Sequence, residues 1–337
     1  MAFDANQSRP VQLDALGRAI TYLRLSVTDR CDLRCTYCMA EQPDFLPKSK
    51  LLTYEQIEQI AEAFIQRGVR KIRVTGGEPL VRKDIGTLFT ALGRFVQDGR
   101  LDELTLTTNA TILDRHAEHL VACGVKRVNI SIDSLRPDRF REITRGGDVE
   151  AVLRGIAAAK AAGLSCKLNI VALREQNADE IPDMITWAHS EGHEVTLIEV
   201  MPTADTGFDR RLQFLPLTAV REELEERWTL TPTSRSTGGP ARYWKVEETG
   251  GMLGLITPLT ENFCAGCNRV RVTATGRLVL CLGQEDGVDL REPLLRGEDL
   301  SAVIDQGLNF KPERHGFEEA YAERRAAVSR SMSTTGG

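Results

Sequence analysis

Three cysteines, Cys31, Cys35 and Cys38, stand at C-x3-C-x2-C spacing within Cys31-Asp32-Leu33-Arg34-Cys35-Thr36-Tyr37-Cys38. Thiolates hold iron–sulfur clusters. Three thiolates on a four-iron cubane leave one iron without a protein ligand, and an open coordination position separates a reactive metal site from a closed structural one. Zinc motifs normally use C-x2-C or C-x4-C pairs, and no histidine lies near this stretch to complete a tetrahedron. Zinc nevertheless remains a second reading of the spacing by itself.

A second triplet, Cys264, Cys267 and Cys281, has C-x2-C-x13-C spacing. A zinc ribbon needs a fourth ligand, which His315 can supply, so zinc and a cluster both fit here. Between these cysteines, Asn268-Arg269-Val270-Arg271 places Arg269 and Arg271 on one face of a strand. Guanidinium forks suit bidentate capture of phosphate or carboxylate. The two remaining cysteines, Cys123 and Cys166, fall in a helical pattern and an apolar strand and are expected to be buried packing thiols.

The elements that must position these groups alternate. Strands are expected at Tyr22–Val27, Lys71–Thr75, Glu103–Thr108, Arg127–Ile132, Ser165–Val171 and Val195–Met201, with helical patterns between them. Thr53 opens the first helix with Gln56 completing a capping box, and Gly68 stops it. Alternation of this kind implies a parallel sheet with helices outside it. Eight units make a full TIM barrel; six predict an incomplete (β/α)6 barrel. Beyond Met201 the rhythm breaks. An acidic helix at Val220–Arg227 and short strands at Arg242–Val246 and Gly254–Thr257 predict a smaller, mostly antiparallel C-terminal α+β region. The expected division is 1–230 and 231–337.

Buried parallel strands usually read as continuous apolar runs. In these, apolar residues alternate with Arg24, Arg73, Thr107, Ser131 and Lys167. Helices must cover the apolar face, so the polar face turns into a cavity. Buried cations need anionic partners, and a phosphorylated ligand meets that need. Gly76-Gly77-Glu78-Pro79 follows the second strand at its carboxyl end, where β/α barrels place their chemistry.

The 337 residues suffice for about two domains or one large barrel, and a formal net charge of -5 argues against a general nucleic-acid or membrane-surface binder. The polar start Met1 to Pro10 reads as no signal peptide, and no run of about 18 apolar residues predicts a membrane span. Six cysteines grouped in threes suit a reducing cytosol and a metal rather than a disulfide framework. A cytoplasmic protein is expected.

With Tyr37 before its third cysteine, C-x3-C-x-aromatic-C resembles the signature of the radical S-adenosylmethionine (SAM) enzymes, in which the open iron chelates SAM. Gly76-Gly77-Glu78-Pro79 resembles the segment that receives the methionine amine in those enzymes. Combined with the terminal C-x2-C-x13-C and the ending Gly336-Gly337, the chain resembles the GTP 3',8-cyclase family of molybdenum-cofactor biosynthesis from about Arg24 onward. The family motif often has threonine where Asn268 stands.

The resemblance implies two 4Fe-4S clusters, on Cys31, Cys35 and Cys38 and on Cys264, Cys267 and Cys281. It implies SAM contacts from Tyr37, Gly77, Ser131 and Met201. Arg24, Arg73, Thr107, Lys167, Arg269, Val270 and Arg271 are implied to contact GTP. Arg269, Arg271, Gly336 and Gly337 are implied to act within the active site. The implied reaction cleaves SAM to a 5'-deoxyadenosyl radical, which abstracts hydrogen from ribose C3' before that carbon adds to guanine C8. An electron donor, a downstream cyclic pyranopterin monophosphate synthase and a homodimer follow by the same resemblance. A radical SAM peptide-modifying maturase with an auxiliary cluster is the alternative.

Overall fold

Each of the six expected strands forms. The computed structural model describes residues 11–336. Its β/α series is β1 (Tyr22–Ser26), α1 (Tyr54–Gln66), β2 (Lys71–Thr75), α2 (Ile85–Gln97), β3 (Glu103–Thr108), α3 (Ala117–Ala122) and β4 (Arg127–Ser131). It continues through α4 (Pro137–Thr144), α5 (Val149–Ala161), β5 (Ser165–Ala172), α6 (Ile181–Ser190) and β6 (Glu194–Glu199). Strands β1 to β6 pair in parallel, in chain order.

Alternation along the strands decides what each face does. Leu23, Leu25, Ile72, Val74, Leu104 and Leu106 join one apolar core with Ile57, Ile60 and Phe64 of α1 and Leu88, Phe89 and Leu92 of α2. Burying each such side chain contributes about 1.5–3 kcal/mol. Cys123 and Cys166 are buried in the same core. The α1 capping box is present: Gln56 N donates to Thr53 Oγ1 at 3.2 Å and Thr53 N donates to Gln56 Oε1 at 2.9 Å.

The C-terminal strands are β7 (Leu230–Pro232), β8 (Arg242–Val246), β9 (Met252–Ile256), β10 (Arg269–Val272), β11 (Arg277–Val279) and β12 (Gly287–Asp289). The expected antiparallel pairing holds within β7–β8–β9 and within β10–β11–β12. These two groups extend one twelve-stranded sheet at opposite ends, because β9 runs parallel to β6 and β10 runs parallel to β1. An unpaired edge strand exposes a row of backbone donors and acceptors; β9 and β10 satisfy those of β6 and β1. The acidic helix begins earlier than expected, at Leu217, and ends at Glu225. Among the described residues no helix is long and apolar enough to cross a membrane.

Candidate active site

The first cysteine loop follows β1 and is tied down on both sides. Arg34 N and Thr36 N donate to the carbonyls of Thr144 and Ile143 at 3.0 and 2.9 Å, which anchors the loop to the end of α4. Asp32 accepts from Asn109 Nδ2 at 2.7 Å and from Thr111 Oγ1 at 2.5 Å, which anchors it to the segment after β3. Tyr37 donates its hydroxyl to Asp133 Oδ2 at 2.7 Å, while Asp133 Oδ1 accepts from Val171 N at 2.8 Å. Burial pushes the Asp133 carboxyl up to about 6, against both of these hydrogen bonds.

Gly76 and Gly77 have a packing role that pattern reading did not reveal. A Cβ on Gly77 would lie 2.4 Å from the Arg30 carbonyl oxygen, and one on Gly76 would lie 2.5 Å from that of Thr28. Gly77 N donates to Thr28 O and Glu78 N donates to Arg30 O, both at 2.8 Å. Only glycine permits this approach, which seats the β2 turn directly beneath the chain leading into Cys31. Glu78 is buried and accepts from Asn109 N at 2.6 Å, Leu80 N at 2.9 Å and Thr108 Oγ1 at 2.9 Å. Burial raises its carboxyl to about 8.

The second cysteine group flanks β10, the strand next to β1, at the end where the parallel strands begin, whereas Cys31 follows the end of β1. Cys264 and Cys267 close a tight turn, Cys267 N donating to Cys264 O at 3.0 Å, just before β10. The antiparallel return pairs Arg271 with Val279, which brings Cys281 back to the same end of the hairpin as Cys267. A thirteen-residue gap is thus spanned by one hairpin. Arg18 buttresses this turn by donating to Cys264 O at 3.1 Å and Pro312 O at 2.8 Å.

A single cavity of about 280 Å³ connects the two groups, and all six of these cysteines line it. Tyr37, Gly77, Ser131 and Met201 lie on its wall beside the first triplet's elements. Arg24, Arg73, Thr107, Lys167, Arg269, Val270 and Arg271 line it too. Val270 differs from its neighbours, since it belongs to the apolar core. Gly336 reaches the site through its carbonyl oxygen, which accepts from Arg271 Nη1. Gly337 lies outside the described residues.

Strand register makes the cavity strongly cationic. Parallel partners point to the same face, and Arg24 of β1 is partnered by Arg271 of β10 on one side and Arg73 of β2 on the other. Tyr22, two residues earlier, stands between Arg269 and Lys71. Burial and then Arg271 lower Arg24 well below its ordinary value, and burial brings Arg271 down to about 10. Lys167 is lowered to about 7, first by burial and then by Arg73. The buried polar atoms Tyr22 Oη, Arg73 Nε, Thr107 Oγ1 and Asn129 Oδ1 have no hydrogen-bond partner among the described residues. The donors among these, set beside so many cations, suit an anionic ligand.

Sequence reasoning missed Tyr22, Lys71, Asp133, Glu78 and Lys311 as site residues. Tyr22 and Lys71 are legible in the strand alternation that pointed to Arg24 and Arg73. Lys311 is buried and donates to Leu280 O at 2.7 Å. Burial would raise the Cys267 thiol, but Arg269 and Lys311 bring it below its ordinary value. No local pattern around Lys311 signals that.

The class follows from the Radical SAM superfamily model, which matches residues 25–188, while Molybdenum Cofactor Synthesis C matches residues 193–317. Streptococcus suis SuiB bound to S-adenosylmethionine shares the fold, with a TM-score of 0.63 over 94% of this chain and 78% of that one at 16% identity. A GTP 3',8-cyclase of Erythrobacter litoralis is 57% identical across 96% of this chain and 98% of its own length. Another of Rhizobium meliloti is 54% identical across 100% and 99%. The chain belongs to the GTP 3',8-cyclase family.

Membership of the radical SAM superfamily implies a 4Fe-4S cluster and SAM. The donor set fits. Cys31, Cys35 and Cys38 are three soft sulfur ligands on one cavity wall, and burial, foremost, holds all three thiols above their ordinary range. A thiolate there needs a cationic partner, which iron provides. Among the described residues no three His, Cys, Asp or Glu side chains gather closely enough for one metal ion. A four-iron cubane is a larger body, met by one thiolate at each of three corners.

Proposed function

We propose that the chain is a radical SAM GTP 3',8-cyclase, converting GTP to 3',8-cyclo-7,8-dihydroguanosine 5'-triphosphate in the first step of molybdenum-cofactor biosynthesis. The observation that carries this reading is the cationic block of β10, β1 and β2 lying in one cavity between two cysteine triplets. The relatives above are cyclases, which sets aside a peptide-modifying maturase.

In this reading Cys31, Cys35 and Cys38 hold the first cluster, and Cys264, Cys267 and Cys281 hold a second 4Fe-4S cluster. A cluster held by Cys31, Cys35 and Cys38 would supply the electron for reductive cleavage of SAM, the chemistry that would generate a 5'-deoxyadenosyl radical able to take hydrogen from ribose C3'. Tyr37, Gly77, Ser131 and Met201 orient SAM, and the Asp133 carboxylate fixes Tyr37 for that task. Arg24, Arg73, Arg269 and Arg271 present forked donors to the triphosphate, Lys167 adds a point charge and Thr107 a hydroxyl. Val270 contributes through its backbone. Gly336, beside Arg271, and Gly337 act within the active site.

The architecture that goes with this is an incomplete (β/α)6 barrel, residues 1–230, closed by a C-terminal cluster-binding region, residues 231–337. An external electron donor, a homodimer and a downstream cyclic pyranopterin monophosphate synthase belong to the same proposal. So does a cytoplasmic location, whose reducing conditions suit eight free thiols.

Anaerobic reconstitution with iron and sulfide, followed by SAM, GTP and a reductant, tests the reading. Mass spectrometry should find the cyclised nucleotide together with 5'-deoxyadenosine. Deoxyadenosine formed with GTP left intact would exclude the cyclase.

A further inference from the structure

Tyr22 occupies the one non-cationic place in the block formed by β10, β1 and β2. Its row reads Arg269, Tyr22, Lys71, and the next row on the same face reads Arg271, Arg24, Arg73. We infer that Tyr22 is a further substrate-contacting residue, whose hydroxyl donates a hydrogen bond to a phosphate oxygen of the nucleotide while its ring positions Lys71 and Arg73. This rests on the nucleotide reading of the cavity and adds to it a residue that no expectation included.

Three observations carry it. Tyr22 is 2% exposed yet borders the cavity, and its hydroxyl has no partner among the described residues. A buried hydroxyl left unpaired is destabilising, so it requires a reason. Its charged neighbours cannot satisfy the O–H, because lysine and arginine carry donors and no acceptor. An anion entering between them supplies the missing acceptor.

The ring has a separate task. Lys71 Nζ lies 5.0 Å and Arg73 Cζ 5.5 Å from its centroid, within cation–π reach. Lys71 is also held by Glu103 at 2.8 Å and by the Thr237 carbonyl at 2.7 Å, so its ammonium has a fixed station beside the phenol. Burial raises the phenol's affinity for its proton, but Arg73, Arg24, Lys71 and Arg269 together reverse that and lower it. The O–H is thereby a stronger donor than an ordinary tyrosine.

Packing by itself would be served equally by phenylalanine, and that substitution separates the two roles. GTP, tripolyphosphate and guanosine binding would be measured by equilibrium dialysis on anaerobically reconstituted Tyr22→Phe and wild-type protein. Iron content and the thermal midpoint serve as controls. Tyr22→Phe should raise the dissociation constants of GTP and tripolyphosphate about tenfold, the scale of one hydrogen bond to a charged group, and leave guanosine unchanged. Tyr22→Leu should weaken both anions further, because the cation–π contacts go as well. Unchanged anion binding by Tyr22→Phe would reduce Tyr22 to packing and overturn the inference. An equal loss for guanosine would overturn it too, by placing the hydroxyl at the base or in the scaffold. Wild-type protein that bound neither GTP nor tripolyphosphate would instead refute the nucleotide reading and this inference with it.

Discussion

Arg271 donates a hydrogen bond to the carbonyl oxygen of Gly336, tying the middle of β10 to a residue 65 positions later. Gly336 is buried with φ at +79°, and a Cβ there would lie 2.2 Å from Thr75 Cγ2. Both conditions require glycine. Thr75 ends β2 on the cavity wall, so the tail is threaded into the site. Gly336→Ala should therefore expel the tail, leaving iron content and thermal midpoint near wild type while reducing cyclised nucleotide by tenfold or more, on the order of a 1.4 kcal/mol change. Deleting Gly336 and Gly337 should do the same. Normal GTP turnover by the truncated enzyme would make the tail a bystander.

On the proposed nucleotide reading, Lys167 should make binding depend on pH. Its folded value, lowered to about 7 by burial and Arg73, lies below the 10.5 of an unfolded lysine. Keeping the ammonium costs stability at all pH values below 7, and that cost is relieved as pH rises from about 7 to 10.5, where the unfolded chain holds more protons. A bound triphosphate reverses the situation by favouring the charged form. At pH 8, calorimetry in buffers of different ionisation enthalpy should therefore detect uptake of nearly one proton per GTP bound. Affinity should fall as pH rises from 7 to 9. Lys167→Met should abolish the proton uptake and bind GTP more weakly at pH 7; uptake that persists in this variant would assign the proton to another group.

The two cysteine groups should fail in different ways. On the proposed two-cluster reading, Cys281→Ala should lower iron per chain by about half, since one of two similar clusters is lost. SAM should still bind at the first site, where Tyr37 and Gly77 are untouched, while cyclised nucleotide is lost. Iron, 5'-deoxyadenosine and product would be assayed on one anaerobic preparation. Unchanged iron together with one tightly held zinc would make Cys264, Cys267 and Cys281 a structural site, with His315 the candidate fourth ligand.

Local spacing by itself carried much of this protein. Two cysteine triplets, six strands placed within about two residues, the Thr53–Gln56 cap and the polar alternation of Arg24, Arg73 and Lys167 are all short-range features. A period of two along a strand states which residues share a face, whatever the strand pairs with. Register across strands is different. Arg269 and Arg271 flank Tyr22 and Arg24 only because β10 returns to satisfy the open edge of β1, across a separation of about three-quarters of the chain. The same closure sends β9 to β6, so an antiparallel region that reads as one unit is divided between two ends of a sheet. Asp133 meeting Tyr37, Glu78 accepting from the segment after β3, and the missing acceptor at Tyr22 depend equally on which distant groups arrive. Burial and partners, not residue type, decide those roles, and only the folded chain supplies both.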